Sequence, residues 1–521
     1  MKQNRLAAID IGTNSIRSIV VEVGRDAKFR VLDDEKACVR LGEGLNETGS
    51  ISAAAWERAM AALSRLKKII DGYGVAAIEA VATSAVRKAA NGDAFIEAIR
   101  TEIGLEIRTI SGQEEGELAA LSAFNNFDLE ETRHLLVDIG GGSLELVLTV
   151  GHHVEEIYSL DLGAVYLTET FLQNDPITPD EYRRLRRQIR KTLKAVFVDD
   201  RPAAPVLVGS GGTITAIAAM VMAGRKEGYD SLHGYEVLRS EVVHLLAMLL
   251  RKNLRERKGI AGLNADRADI IVAGVVVIDE LMDFFGVNLL RVNGRGIREG
   301  LILKGLRSHN LCPAEKKARS WRESVLEFAT SCHFDELHAR QVARLSLDIC
   351  AALAGPFKIG ERETRLLEAA ALLHDVGYFI NYSSHHKHSY HLIRHADLFG
   401  FTPRERELIA QIARYHRKAL PKKKHEQYLR LAPDDRLLVA RLGGILRLAD
   451  GLDRRRNCLV RSVDCLLTPA RFVIRLQGAA DVSVELFGGK AKGDLFQEAF
   501  QLKLVLEQDA ALSTGDGSAD H

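Results

Sequence analysis

A six-residue turn, Asp10-Ile11-Gly12-Thr13-Asn14-Ser15, returns nearly unchanged as Asp138-Ile139-Gly140-Gly141-Gly142-Ser143. Each copy follows an apolar run, Leu6-Ala7-Ala8-Ile9 or Leu135-Leu136-Val137, and precedes another, residues 16–23 or 144–150. A carboxylate at a strand end, followed by glycines and a hydroxyl, suits a hairpin whose backbone N–H groups can approach phosphate. Two such hairpins in one chain predict two related α/β domains facing a shared cleft.

At 521 residues the chain is too long for one ordinary core, and several domains are expected. A formal net charge of +1 leaves attraction to polyanions to local patches. The six cysteines (Cys38, Cys312, Cys332, Cys350, Cys458 and Cys465) form no C-x-x-C pair and read as thiols in a reducing compartment. Asp10 interrupts the first apolar segment too early for a signal peptide, and the apolar run 270–278 is too short to span a bilayer. A cytoplasmic protein without membrane contact is expected.

Residues 1–123 alternate strands (6–9, 16–23, 78–82) with a helix over 53–73, and residues 124–310 repeat the theme. There a basic helix is expected over 179–198, and a strand at 206–208 leads through Gly209-Ser210-Gly211-Gly212-Thr213 into a helix over 214–222. Residues 311–459 read as all-helical and hold ten of the seventeen histidines. Alternation at Val473/Ile474/Leu476, Val482/Val484/Leu486 and Leu502/Leu504/Leu506 predicts a small β-rich domain over 460–508, before a disordered polar tail at 509–521.

Beyond the hairpins, three more loops suit phosphate. Thr83-Ser84-Ala85-Val86-Arg87, running on to Asn91, offers hydroxyls and a guanidinium. Residues 209–213 open a helix, whose free N–H groups and dipole favour an anion, and so does Asn293-Gly294-Arg295-Gly296-Ile297-Arg298-Glu299-Gly300. Together with Ser111-Gly112-Gln113-Glu114-Glu115 and Glu145 of the second hairpin, this ordered set resembles the exopolyphosphatase/guanosine pentaphosphate phosphatase (Ppx/GppA) family. The resemblance implies two actin-like (ribonuclease H-like) α/β domains, and it extends to the C-terminal half of the family's long members.

Hydrolysis of a phosphoanhydride needs an oriented water, a base and positive charge at the transferring phosphoryl group. Ser111-x-x-Glu114 fits a capping box that would occupy Glu114, leaving Glu115 about 100° round the helix and free to be the base; the resemblance points to the same residue. Arg87 is expected to clamp the terminal phosphoryl group. Asp138 and Glu145 can hold a hard cation, Mg²⁺ by resemblance, while Asp10 either joins them or orders its own turn. The phosphate-binding set is Gly12, Thr13, Asn14, Ser15, Thr83, Ser84, Asn91, Gly140, Gly141, Gly142, Ser143, Gly211, Gly212, Thr213 and Arg298.

In the helical half, Leu372-Leu373-His374-Asp375-Val376-Gly377 resembles the His-Asp step of HD-domain phosphohydrolases. His338, His388, His416 and Asp450 look like the other ligand positions, a candidate second site for a transition metal. Three basic runs, 183–191, 414–424 and 454–456, could line a polyanion path, though without aromatic rings to stack bases nucleic acid is disfavoured. The expected activity is Mg²⁺-dependent release of orthophosphate from polyphosphate ends. The alternatives are pppGpp 5′-phosphohydrolase, an ATPase or sugar kinase of the same superfamily, an HD phosphohydrolase and a catalytically silent sensor. A homodimer is implied by resemblance alone.

Overall fold

The computed structural model describes residues 4–24, 29–129, 132–198, 204–309, 311, 320–422, 424–478 and 481–508. It divides into two compact units, Met1–Ala318 and Arg319–His521.

In the first unit, β1 (Arg5–Ile11), β2 (Ser15–Val23), β3 (Phe29–Cys38), β4 (Ala77–Ala82) and β5 (Arg108–Thr109) make a sheet of order β3-β2-β1-β4-β5. The first three strands meander antiparallel, and β4 and β5 add in parallel after helical crossovers. A second sheet holds β6 (Arg133–Ile139), β7 (Leu144–Val150), β8 (His153–Leu160), β9 (Leu207–Ser210), β10 (Glu236–Leu238) and β11 (Leu289–Val292). Its order, β8-β7-β6-β9-β11, copies the first, with β10 appended antiparallel at the edge. The duplicated turn is therefore the local sign of a duplicated sheet.

The central strands β1, β6, β7 and β9 are buried on both faces because helices cover them, while β3, β5 and β8 toward the edges stay largely open. Ala53–Gly72, capped by Ser52, lays Ala55, Ala59, Leu63, Leu66 and Ile70 on the first sheet. The expected basic helix forms as Pro179–Val196 behind a Thr178/Glu181 capping box and buries Leu185, Ile189 and Leu193. The apolar run near 270–278 is the core of Ile271–Phe285, buried nearly all round. Among the described residues no helix is long and apolar enough to cross a membrane.

The second unit is helical, with β12 (Val460–Leu467), β13 (Arg471–Gly478) and β14 (Lys503–Gln508) in the order β12-β13-β14. Helices and sheet share one apolar core, in which Phe472, Ile474 and Leu476 join Leu442, Ile445 and Leu446. The alternation at Val482/Val484/Leu486 proves to be helix, Ser483–Lys492. Val482, Glu485, Gly488 and Gly489 are its buried positions, a helical spacing, while Val484 is exposed. Gly488 meets Gly451 so closely that a Cβ on Gly451 would lie 2.6 Å from the Gly488 carbonyl oxygen. The five described cysteines are free thiols; Cys312 and the tail at 509–521 lie outside the described residues.

Candidate active site

The two hairpins close with the same bond: Gly12 N–H donates to Ser15 O (3.1 Å) and Gly140 N–H to Ser143 O (3.0 Å). Directly opposed residues of an antiparallel pair share a face. Asp10 faces Arg17 in the first hairpin, and Asp138 faces Glu145 at the equivalent places of the second. One hairpin thus presents a carboxylate with a guanidinium, the other two carboxylates. All four side chains line one cleft, along with Gly12, Thr13, Asn14, Ser15, Thr83, Ser84, Glu115, Gly140, Gly141, Gly142, Ser143, Gly211, Gly212 and Arg298.

Two helices start at the cleft, Gly212–Gly224 and Ile297–Ser308. Their N-cap glycines, Gly211 (φ 99°) and Gly296 (φ 91°), hold backbone conformations that glycine adopts without cost. A Cβ on Gly211 would lie 2.5 Å from Ile139 O. The free N–H groups of both first turns can face an anion. Asp10 Oδ1, Asn14 Nδ2 and Ser84 Oγ are buried in the lining with no hydrogen-bond partner. Each such atom costs about 1–3 kcal/mol unless a ligand satisfies it.

Glu115 lies in the first turn of Gly112–Asn126 and is only 4% exposed. Burial pushes its carboxyl up to about 7, against the opposing pull of Arg87, whose Nη1 donates to Glu115 Oε1 at 2.5 Å. Burial likewise raises Asp10 to about 6 and Asp138 above the usual carboxylate range. Glu145 is raised well above it, by burial and then by the charges of Glu115 and Asp138. Its Oε1 accepts from Ser159 Oγ at 3.0 Å.

Several expected residues are placed differently. Ser111 caps the Glu115 helix, but Glu114 does not bond back; it pairs with Arg108 (2.6 Å) and Lys304 (2.7 Å), which still leaves Glu115 to the cleft. Arg87 is not among the residues lining the cleft: its Nη1, which donates to Glu115, also donates to Ile110 O at 2.6 Å, so this nitrogen holds Glu115 from behind. Asn91 is a structural corner, its amide trading hydrogen bonds with the N–H (2.8 Å) and C=O (2.9 Å) of Ile51. Thr213 turns inward against Gly274, and Thr215 reaches the lining in its place. Arg298 does line the cleft, anchored on Asp34 and on Ser18 O (3.1 Å). In the same motif Glu299 accepts from Ser122 Oγ, and Gly300 permits close approach to Leu118.

Arg17, Arg267 and Thr215, which no sequence motif singled out, are also in the lining, as are Asn293 and Arg295 of the expected glycine-rich loop. Arg17 had a usable signal, since strand alternation puts it on the same face as Ser15. Arg267 arrives from a distant loop. Arg267 sits against Gly212, where any Cβ would lie 2.2 Å from its Nη1, and burial lowers its guanidinium to about 10. Of the basic runs, Arg186 and Arg190 are tied to Glu280, Arg455 to Glu485 and Arg456 to Asp375, so these arginines are engaged in ion pairs.

In the second unit the described residues gather two groups able to hold a metal, His338/His374/Asp450 and Asp375/His385/His416. His388 belongs to neither. His385, the first residue of its helix, stacks between Tyr378 and His416, while His388 is half-buried almost a turn further on.

A duplicated actin-like α/β fold thus carries a carboxylate- and arginine-lined cleft between its glycine hairpins, the setting of a protein that handles phosphate groups. The profile of the Ppx/GppA phosphatase family matches residues 19–309, and that of Ppx/GppA phosphatase domain III matches residues 321–481. The chain belongs to the Ppx/GppA phosphatase family. It is 27% identical over 453 residues, 87% of each chain, to a guanosine-5'-triphosphate,3'-diphosphate pyrophosphatase of Vibrio campbellii. Among solved structures it is similar to the Aquifex aeolicus family member (31% identity, TM-score 0.52, covering 59% of this chain and 98% of that one). It is also similar to an exopolyphosphatase from Cytophaga hutchinsonii (27% identity, TM-score 0.55, covering 58% and 98%). Its chemistry is hydrolysis of phosphoanhydride bonds.

Proposed function

We propose that the protein is a Mg²⁺-dependent exopolyphosphatase that hydrolyses the terminal phosphoanhydride of inorganic polyphosphate and releases orthophosphate. The observation that carries this reading is Glu115, a buried carboxylate at about 7 turned into a cleft framed by both hairpins. A group that titrates near the working pH is a suitable general base. Water oriented by Glu115 attacks the terminal phosphorus in line and gives Glu115 its proton. The bond to the bridging oxygen breaks, and the shortened chain leaves as the anion. Arg17, Arg267 and Arg298, with the N–H groups of both hairpins and both helix starts, hold the charge that develops. Arg87 acts as a positioning residue that orients Glu115 and limits the rise of its pKa.

Asp138 and Glu145, with Asp10, would hold Mg²⁺, which when bound neutralises phosphate oxygens. The unpartnered Asp10 Oδ1 and the raised carboxyls suit a cation. These carboxylates do not form a tight protein-only cage, which suits an ion that keeps several waters.

Polyphosphate is favoured because, among the described residues, the lining holds four arginines and no aromatic ring to receive a base. The second reading, pppGpp 5′-phosphohydrolase, is favoured by the likeness to the Vibrio campbellii pyrophosphatase along 87% of the chain. The test is phosphate release from long-chain polyphosphate and from pppGpp under one set of conditions. A kcat/KM at least about tenfold higher for polyphosphate is expected, a margin of ~1.4 kcal/mol in transition-state stabilisation. The reverse ratio establishes the second reading, and release from neither substrate removes both. A homodimer is also proposed, to be checked by sedimentation.

A further inference from the structure

In the second unit, four imidazoles converge on two buried aspartates. The orientation of each ring is set by an oxygen on its outer nitrogen. His338 Nδ1 donates to Asp453 Oδ2 (2.8 Å), His374 Nδ1 to Ala371 O (2.6 Å) and His416 Nδ1 to Ala413 O (2.6 Å). His385 Nδ1 lies 3.1 Å from Tyr382 O, closer than its other neighbour, Arg417, at 3.4 Å. An Nδ1 that donates to oxygen leaves the Nε2 lone pair as the inward-facing ligand, the arrangement that holds metal-binding histidines in place.

All four Nε2 atoms point at carboxylate oxygens. His338 Nε2 is 3.5 Å from Asp450 Oδ1, and His374 Nε2 is 3.5 Å from Asp375 Oδ2. His385 and His416 Nε2 lie 3.2 and 3.5 Å from the other oxygen, Asp375 Oδ1, and only 3.3 Å from each other. Two ring nitrogens that close need a shared proton or a cation between them, and a carboxylate as third ligand favours the cation. His338 Nε2 and His374 Nε2 are buried without a hydrogen-bond partner. Asp375 Oδ1 thus faces the second group, and Oδ2, which also accepts from Arg456 Nη2 at 2.5 Å, faces the first.

We propose that this unit holds a two-ion centre for divalent transition metals, bridged by Asp375, with one ion on His338, His374 and Asp450 and the other on His385 and His416. Imidazole-rich sets of this kind select ions such as Mn²⁺, Fe²⁺, Ni²⁺ or Zn²⁺ over Mg²⁺. Asp453 is the outer support of the first site: it orients His338 and is itself held by Cys458 N–H (3.0 Å). Arg456 and Lys492, on Asp375 and Asp450, balance the remaining carboxylate charge.

The test loads the full chain with Mn²⁺ and, separately, Zn²⁺, dialyses against Mg²⁺ buffer and counts retained metal by mass spectrometry. About two ions per chain are expected, with a spin-coupled signal for the Mn²⁺ form. His385→Ala/His416→Ala should keep about one ion and lose the coupled signal, Asp375→Asn should lose both ions, and His388→Ala should keep both. Glu115→Gln should retain the same metal as wild type, which separates this centre from the cleft chemistry. Each variant's folding is checked by its thermal transition without metal. Wild type retaining one ion or none, or His388→Ala losing one, overturns the proposal.

Discussion

Glu115→Gln lowers kcat for phosphate release by about 10²–10⁴-fold, the usual contribution of a general base, while KM changes less than about threefold. Glutamine keeps the shape and can still accept from Arg87, so binding by the glycine loops and arginines should survive. The fold should survive as well. Burial lifts this carboxyl from 4.5 to about 7, so its ionisation opposes folding by about 3 kcal/mol, to order of magnitude. A raised carboxyl favours the folded state at low pH, and that advantage is lost as pH rises through about 7. A neutral amide removes the loss, so the variant should be at least as stable as wild type at pH 8. Full activity in Glu115→Gln would take the base away from this residue.

The second large effect concerns the cation. Asp138→Asn and Glu145→Gln should each raise the Mg²⁺ concentration for half-maximal rate by about 10–100-fold. Both carboxyls are buried and raised, so without a cation the cleft concentrates negative charge at a high desolvation cost. Mg²⁺ should therefore raise the thermal transition of wild type more at pH 8 than at pH 6, because protons compete for the same oxygens at the lower pH. Asp10→Asn decides between the two roles open to that residue: a changed Mg²⁺ requirement makes it a ligand, and an unchanged one leaves it ordering its turn. Titration of initial rate and melting temperature against Mg²⁺ checks all three. Unchanged requirements in Asp138→Asn and Glu145→Gln would remove the metal from this hairpin.

What the sequence made legible was local. Glycine turns between apolar runs announce themselves, and the repeat of one turn implied the repeat of a whole sheet order. Glu115 could be separated from Glu114 because one helical step rotates a side chain by ~100°. Long-range choices were not legible. Whether Arg87 reached for substrate or for Glu115 depended on a helix 28 residues away, and Asn91 found its partner 40 residues back at Ile51. Arg267 enters the cleft only because Gly212 carries no side chain. In the helical half His338, His374, Asp375, His416 and Asp450 do gather, but with His385 where His388 was expected. The helix begins at His385 after Ser384 turns left-handed (φ 62°), which no periodicity foretold, and this brings His385 to the cluster in place of His388.

If Glu115 is the base and Arg87 sets its pKa, the pH dependence of kcat/KM reads that pKa in the free enzyme. Wild type should lose activity as pH falls through about 7. Arg87→Met removes the cation that lowers this pKa, so the acid limb should move to higher pH by about one unit or more. An acid limb near 4.5 in wild type, or one that Arg87→Met leaves in place, would contradict it.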